Sequence, residues 1–368
     1  MGFDSFLGNA KAVDTLRAML SASRVPGALL FSGPEGVGKK TLAMMVAKAI
    51  NCERRGPGES DFCGRCSRCL KADQMFVAGA EDLARRRELK DASRRGEGLA
   101  SFDLQLIEPI TRYILIEQIR QLRAAAYSRP FELSYRVFII DQAPAIHWQA
   151  TDLLLRLLEE PPASSVLILI CTHPYELRPT IRSRTLHVPF APVELSVLER
   201  IPLDGRILSP SDRALSLRVA AGSVGALKRF DPAAYSRQRR AWLDFLDMVS
   251  ARQPSGPAGP DWEKLFEATR ELTENHGELE PVLRIGSALC RDLLHTLTEA
   301  GAAELINVDL VPRLQAWSRA LGFSGVQKLA RAIEQAYRLQ NRNVNQRLGL
   351  DAAASEIWQR SAPVHESP

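Results

Sequence analysis

An apolar run, Ala28-Leu29-Leu30-Phe31, leads into Gly33-Pro34-Glu35-Gly36-Val37-Gly38-Lys39-Lys40, and from there into Leu42-Ala43-Met44-Met45-Val46-Ala47. The order is a buried strand, a glycine-rich turn and a helix. Gly33, Gly36 and Gly38 let the backbone curl with its N–H groups pointing inward around an anion. The following helix presents its N-terminus to the same anion. Lys39 is placed to reach terminal phosphates. This loop commits the first part of the chain to a strand–turn–helix unit and points to a nucleotide.

The last position of the loop departs from the pattern. A Ser or Thr is wanted there as a ligand for Mg²⁺, and the chain has Lys40. Thr41 follows, but one residue along a helix is a turn of about 100°, which aims Thr41 away from the metal. Nucleotide binding stays open, whereas metal-assisted chemistry is impaired.

Further apolar runs follow at 104–107, 136–140 and 166–170, with a shorter one at 185–188. Helical patterns lie between them at 116–126 and 150–158, after a first amphipathic helix over 8–22. Continuous apolar strands alternating with helices mean a parallel sheet covered on both faces. Asp141 closes the run Val137–Ile140, where an aspartate would help to hold Mg²⁺. Gln142 stands next, in place of a carboxylate that could accept a proton from water; an amide cannot. After Pro189 the strand signal disappears. Short helices broken by Pro202, Gly205 and Pro210 occupy 192–230, and longer helices occupy 236–298 and 310–360, with Gly/Pro punctuation at 253–260. The charged stretch 78–101 reads as an exposed loop or a solvated helix.

Four of the six cysteines cluster as Cys52, Cys63, Cys66 and Cys69. Cys-x-x-Cys spacing lets two sulfurs converge on one ion, with Gly64 easing the turn. Four thiolates suit a closed, structural Zn²⁺ site, and an iron–sulfur cluster also takes four. Cys171 and Cys290 lie in apolar stretches and read as buried thiols. No apolar run is long enough to span a bilayer, and the start of the chain lacks signal-peptide order, so a cytoplasmic protein without membrane contact is expected. The net charge of +5 is compatible with phosphate contact without demanding it.

Taken together, Gly33–Thr41, the cysteine cluster, Ile140-Asp141, Leu157-Leu158-Glu159-Glu160-Pro161-Pro162, Ile181-Arg182-Ser183-Arg184-Thr185 and Gly222-Ser223-Val224-Gly225-Ala226-Leu227 resemble the subunits of the bacterial DNA polymerase III clamp loader. The resemblance covers most of the chain. It implies an α/β RecA-like AAA+ domain over 1–190 carrying a zinc module at about 52–76, a helical lid over 191–232, and an all-α collar over 233–368. It favours zinc over iron–sulfur at the cysteines. It implies nucleotide contacts from Gly33, Gly36, Gly38, Lys39, Lys40, Thr41 and Asp141, with Thr172 at the sensor 1 position.

Within this family, Lys40, Gln142 and Gly225 (where motor subunits carry a sensor arginine) point to the delta-prime type. That type implies a subunit that does not hydrolyse ATP and is not an enzyme on its own. Arg184 would act as an arginine finger on a neighbour's ATP, as a planar, always charged guanidinium can. The implied partners are gamma/tau-type and delta-type subunits, the sliding clamp and primer–template DNA. The alternative is an ATP-hydrolysing motor of the gamma/tau type. A third reading is a zinc-dependent nucleic-acid-binding module with a vestigial loop.

Overall fold

Alternation along the strands decides the architecture. In β1 (Ala28–Ser32), Leu29 and Phe31 face one core while Ala28 and Leu30 face another. β3 (Arg136–Ile140) and β4 (Ser165–Cys171) divide in the same way: Val137, Ile139, Ile168 and Ile170 to the first core, Phe138, Ile140, Leu167 and Leu169 to the second. With both faces apolar, these strands have to be covered twice. In this computed structural model, which describes residues 2–89, 102–203, 208–250, 262–274, 279–298, 305–339, 349–352 and 354–356, helices do so.

Helices α1 (Ala10–Ser21), α2 (Lys39–Asn51) and α3 (Ser67–Glu88) supply Leu16, Leu20, Leu42, Val46, Met75 and Phe76 to the first core. Helices α4 (Ile116–Ala126) and α5 (Trp148–Glu159) supply Ile119, Leu122, Leu154 and Leu157 to the second, with Ile181 from the short α6 (Pro179–Arg182). Each fully buried Leu or Ile contributes roughly 1.5–3 kcal/mol over its exposed state.

All five strands are parallel, in the order β2-β3-β4-β1-β5, with β2 at Leu104–Ile107 and β5 at Leu186–Pro189. This is an open, fully parallel α/β sheet covered on both faces. β1 lies between β4 and β5, so the loop leaving it emerges at the carboxyl ends of central strands, where open α/β sheets bind ligands.

The chain separates into two compact units, residues 1–205 with 220–228, and 206–219 with 229–368. The segment expected as a lid is divided between them. In the first unit lie the short helices α7 (Leu195–Leu198) and most of α9 (Val224–Arg229); most of α8 (Pro210–Ala220) belongs to the second. That unit continues through α10 (Pro232–Ser250), α11 (Trp262–Glu274), α12 (Leu279–Leu297) and α13 (Val311–Leu339), the last broken at Gly322 with φ 60°. Trp242 anchors its core, donating from its indole to the Val282 carbonyl at 2.7 Å. Gly286 makes room for that ring, since a Cβ there would lie 2.3 Å from it.

The stretch expected as a loop or solvated helix is helix α3 up to Glu88; residues 90–101 and the punctuation at 253–260 lie outside the described residues. Among the described residues no helix is long and apolar enough to cross a membrane.

Candidate nucleotide site and metal centre

The loop after β1 has the backbone a phosphate cradle requires. Gly33, Gly36 and Gly38 adopt φ of 142°, 72° and 99°, which side-chain-bearing residues rarely take. Space is also short. A Cβ on Gly33 would meet the Phe190 carbonyl at 2.2 Å, and one on Gly36 would meet Ser223 Oγ at 2.2 Å. Two backbone hydrogen bonds fix the loop's root: Gly33 N–H to the Thr172 carbonyl at 3.1 Å, and Phe190 N–H to the Ser32 carbonyl at 2.7 Å. Its tip is tied by the Gly225 N–H, which donates to the Gly36 carbonyl at 2.9 Å.

Lys39 opens α2 and is 7% exposed. Its ammonium donates back into the loop, to the carbonyls of Gly33 at 2.5 Å and Pro34 at 2.6 Å. Burial pushes its pKa down, and Asp141 opposes that shift. Asp141 ends β3 and accepts the Gln142 N–H at 2.9 Å. Burial raises its pKa; Lys40 acts against this, and Glu108 adds to it. Gln142 is exposed and left-handed, φ 53°. Thr41 is exposed, while Thr172 reaches the loop through its carbonyl.

Lys40 extends to the carboxylate of Glu108, which it contacts directly, and lies 4.0 Å from Asp141. Glu108, which the sequence reading passed over, follows β2 and also pairs with Arg87 at 3.0 Å. Its signal was a carboxylate directly after an apolar strand, the same pattern as Asp141. A magnesium ion does not fit the residues present at this position. Its usual hydroxyl ligand is replaced by an ammonium, and that ammonium already sits between the two strand-end carboxylates. The glycines and Lys39 do fit the phosphates of a nucleotide.

Arg184 lies in the turn between α6 and β5, at the surface. Its guanidinium pairs with Glu159 at 2.9 Å and donates to the Thr180 carbonyl at 3.0 Å.

The four clustered cysteines converge. Their sulfurs all lie within 4.8 Å of one another, with Cys52 and Cys66 at 4.0 Å. A tetrahedron with metal–sulfur bonds of about 2.3 Å has edges of about 3.8 Å, so the group could hold a metal ion with little adjustment. Cys52 caps the end of α2 and Cys66 the start of α3; Gly64, at φ 67°, turns the chain between Cys63 and Cys66. Burial opposes ionisation of Cys66, but N–H donation from Cys69 and Glu53 and its neighbouring thiols bring it down to about 6. Burial, joined by the Cys66 thiol, drives Cys69 upward. The cluster thus holds a preferred thiolate, as metal ligation needs.

Residues 8–194, just over half of the chain, match the family described as DNA polymerase III, delta subunit. The chain is 34% identical over 188 residues to the DNA polymerase III subunit gamma/tau of Mycobacterium bovis, covering 51% of this chain and 28% of that protein. It is 31% identical over 229 residues to the DNA polymerase III subunit tau of Escherichia coli, covering 60% and 31%. The chain therefore spans less than a third of the length of these curated relatives. A solved structure, a DNA polymerase III gamma subunit-related protein from Thermotoga maritima, aligns over 95% of this chain and 100% of its own at 17% identity, with a TM-score of 0.40.

These relatives correct one expectation. Lys40, Gln142 and Gly225 led to a chain that is not an enzyme on its own. The relatives matched over half or more of the chain are gamma/tau and tau subunits, the class that stood as the alternative, and the expectation falls with them. It set three substituted positions against a domain that otherwise keeps the loop glycines, Lys39 and Asp141. On the match across residues 8–194, the chain belongs to the DNA polymerase III delta subunit family.

Proposed function

We propose that this chain is a clamp-loader subunit of DNA polymerase III, acting in the cytoplasm to help place the sliding clamp on primer–template DNA. It binds a nucleotide at Gly33–Lys39 and takes a delta-prime-like place beside gamma/tau-type and delta-type subunits. From there Arg184 reaches a neighbour's nucleotide. The observation that carries this reading is the Gly33–Lys39 cradle at the centre of a parallel sheet, in a chain of this family. The surface position of Arg184, held by an exposed ion pair with Glu159, supports the trans role, since such a pair is worth little and is readily exchanged. The helices beyond residue 229 serve as the oligomerisation collar, and Cys52, Cys63, Cys66 and Cys69 hold a structural zinc. The ion would cross-link the end of α2 to the start of α3, away from any chemistry.

The test assembles complexes with wild-type or Arg184→Ala chain and compares DNA-stimulated ATP hydrolysis and clamp loading at equal stoichiometry. Loss of one finger removes about 10³–10⁵-fold at the site it serves, so a partial fall in total turnover is expected. Lysine at 184 should rescue poorly, lacking the planar fork. Unchanged turnover in a fully assembled mutant complex makes Arg184 a surface ion pair only. The names of the relatives favour a second reading, turnover in this chain's own loop. Phosphate release by the isolated chain that disappears in Lys39→Ala reads it.

A further inference from the structure

The charges around the loop balance without a divalent cation. The carboxylates of Glu108 and Asp141, just beyond the ends of neighbouring strands β2 and β3, stand beside the first turn of α2. Against them stand Lys40, in contact with Glu108 and 4.0 Å from Asp141, and Arg87, 3.0 Å from Glu108. Two anionic groups thus meet two cationic ones, and Lys39 adds a further positive charge within the loop. In a magnesium-dependent loop a hydroxyl at position 40 would ligate the ion and the strand-end carboxylate would hold it from the other side. Here the side chain from position 40 carries its own cation to that carboxylate. Nothing at position 40 can ligate a metal, because an ammonium has three donors and no acceptor. A metal ion placed between Lys40 and Asp141 would have to displace a charge of its own sign from both carboxylates.

We infer that this site binds nucleotide without magnesium, the Lys40 ammonium standing where the metal would stand and serving with Lys39 as countercharge to the phosphates. The inference rests on the nucleotide-binding part of the proposed function. Holding a nucleotide and turning it over are separate properties, and the ammonium bears on the first. The stem of Lys40 is half-exposed, so its head can turn from Glu108 toward an incoming phosphate with little change in packing. Phosphate, fully ionised and rich in acceptors, is a better partner for an ammonium than a carboxylate already shared with Arg87.

The test titrates the zinc-loaded 368-residue chain with ATPγS by calorimetry, in excess Mg²⁺ and in buffer depleted of Mg²⁺ by chelating resin. Soluble chelator is avoided and zinc content is measured after each run, so that loss of the cysteine-bound ion does not enter the result. For the wild-type chain, Kd should agree within about threefold between the two buffers. Lys40→Thr, which restores the hydroxyl and frees Asp141, should bind at least about tenfold more tightly with Mg²⁺ than without. Lys40→Arg keeps the charge and should stay indifferent to the metal. With Mn²⁺ as a spectroscopic probe, nucleotide-dependent metal binding should appear in Lys40→Thr and be missing from the wild type. Wild-type affinity that falls tenfold or more on Mg²⁺ depletion overturns the inference while leaving the nucleotide reading intact. So does a Lys40→Thr chain that stays indifferent to Mg²⁺ while retaining wild-type zinc content and circular dichroism. No binding in either buffer overturns the nucleotide reading itself, and the inference with it.

Discussion

The cysteine cluster and the phosphate loop lie at opposite ends of α2, and they are built on different principles. In the cluster, side chains do the binding. Cys52, Cys63, Cys66 and Cys69 all fall within eighteen residues of sequence, and local turns bring their sulfurs together. In the loop, the backbone does the binding, and the side chains that tune it arrive from elsewhere: Asp141 from β3, Glu108 from β2, the Gly225 N–H from α9. A site of the first kind is specified by residue type and spacing. A site of the second kind is specified by sheet order. Replacing one side chain should therefore damage the cluster as a whole, yet only re-tune the loop, unless the replaced residue is a glycine.

The largest effect is expected at the cluster. Cys66→Ser removes one of the four thiols proposed to hold zinc; a zinc ion held there should be lost together with several kcal/mol of stability, because metal affinity at such a site is folding free energy. Elemental analysis with thermal melting reads both, and an unmelted, metal-free variant breaks the comparison from this side. Next comes Gly36→Ala. Its left-handed φ and the 2.2 Å clash with Ser223 Oγ should cost about 1–3 kcal/mol, and nucleotide binding should be lost outright, as calorimetry would show.

Glu108→Gln is smaller. It strips a largely buried partner from Lys40 and Arg87, so a loss of about 1 kcal/mol in denaturant unfolding is expected, together with tighter nucleotide binding as the freed ammonium turns to phosphate. Weaker nucleotide binding in this variant would show that Glu108 supports the site rather than competing for it. Smallest is Glu159→Gln, which releases Arg184 from an exposed pair; stability should change by no more than about 0.5 kcal/mol. An unfolding midpoint shifted well beyond that would place Arg184 in the chain's own structure and not at a neighbour's disposal.

The same distinction explains what was legible in the sequence. The strand–loop–helix of 28–51 and the later strands could be read because apolar runs and glycines act locally. Glu108 carried a signal of its own, a carboxylate directly after an apolar strand, but its pairing with Lys40 could not be read, since the two are 68 residues apart and the pairing follows from β2 lying beside β3. Asp103 was invisible for a similar reason. It is fully buried and accepts backbone N–H groups from Phe131, Glu132 and Leu133 at 2.7–3.0 Å, holding the approach to β3 against the start of β2. Asn51 does the same for Ser134 and Tyr135 from the end of α2. A single polar residue has no periodicity, so no pattern announces it. The expectation that the chain is not an enzyme overreached from a related weakness: positions 40, 142 and 225 were weighed as losses, before the geometry had shown that Lys40 is engaged with Glu108.

β1 carries a consequence for accuracy. Its side chains alternate between two dry cores, and its flanks are bonded to β4 and β5. A slip of one residue would exchange Leu29 and Phe31 for Ala28 and Leu30 on both faces at once, and would also carry Gly33 off the Thr172 carbonyl. The strand therefore works as a ruler: the same packing that keeps the domain folded fixes the register from which the loop departs. Trimming Leu30 or Phe31 should blur that setting, and phosphate affinity should fall before the fold does.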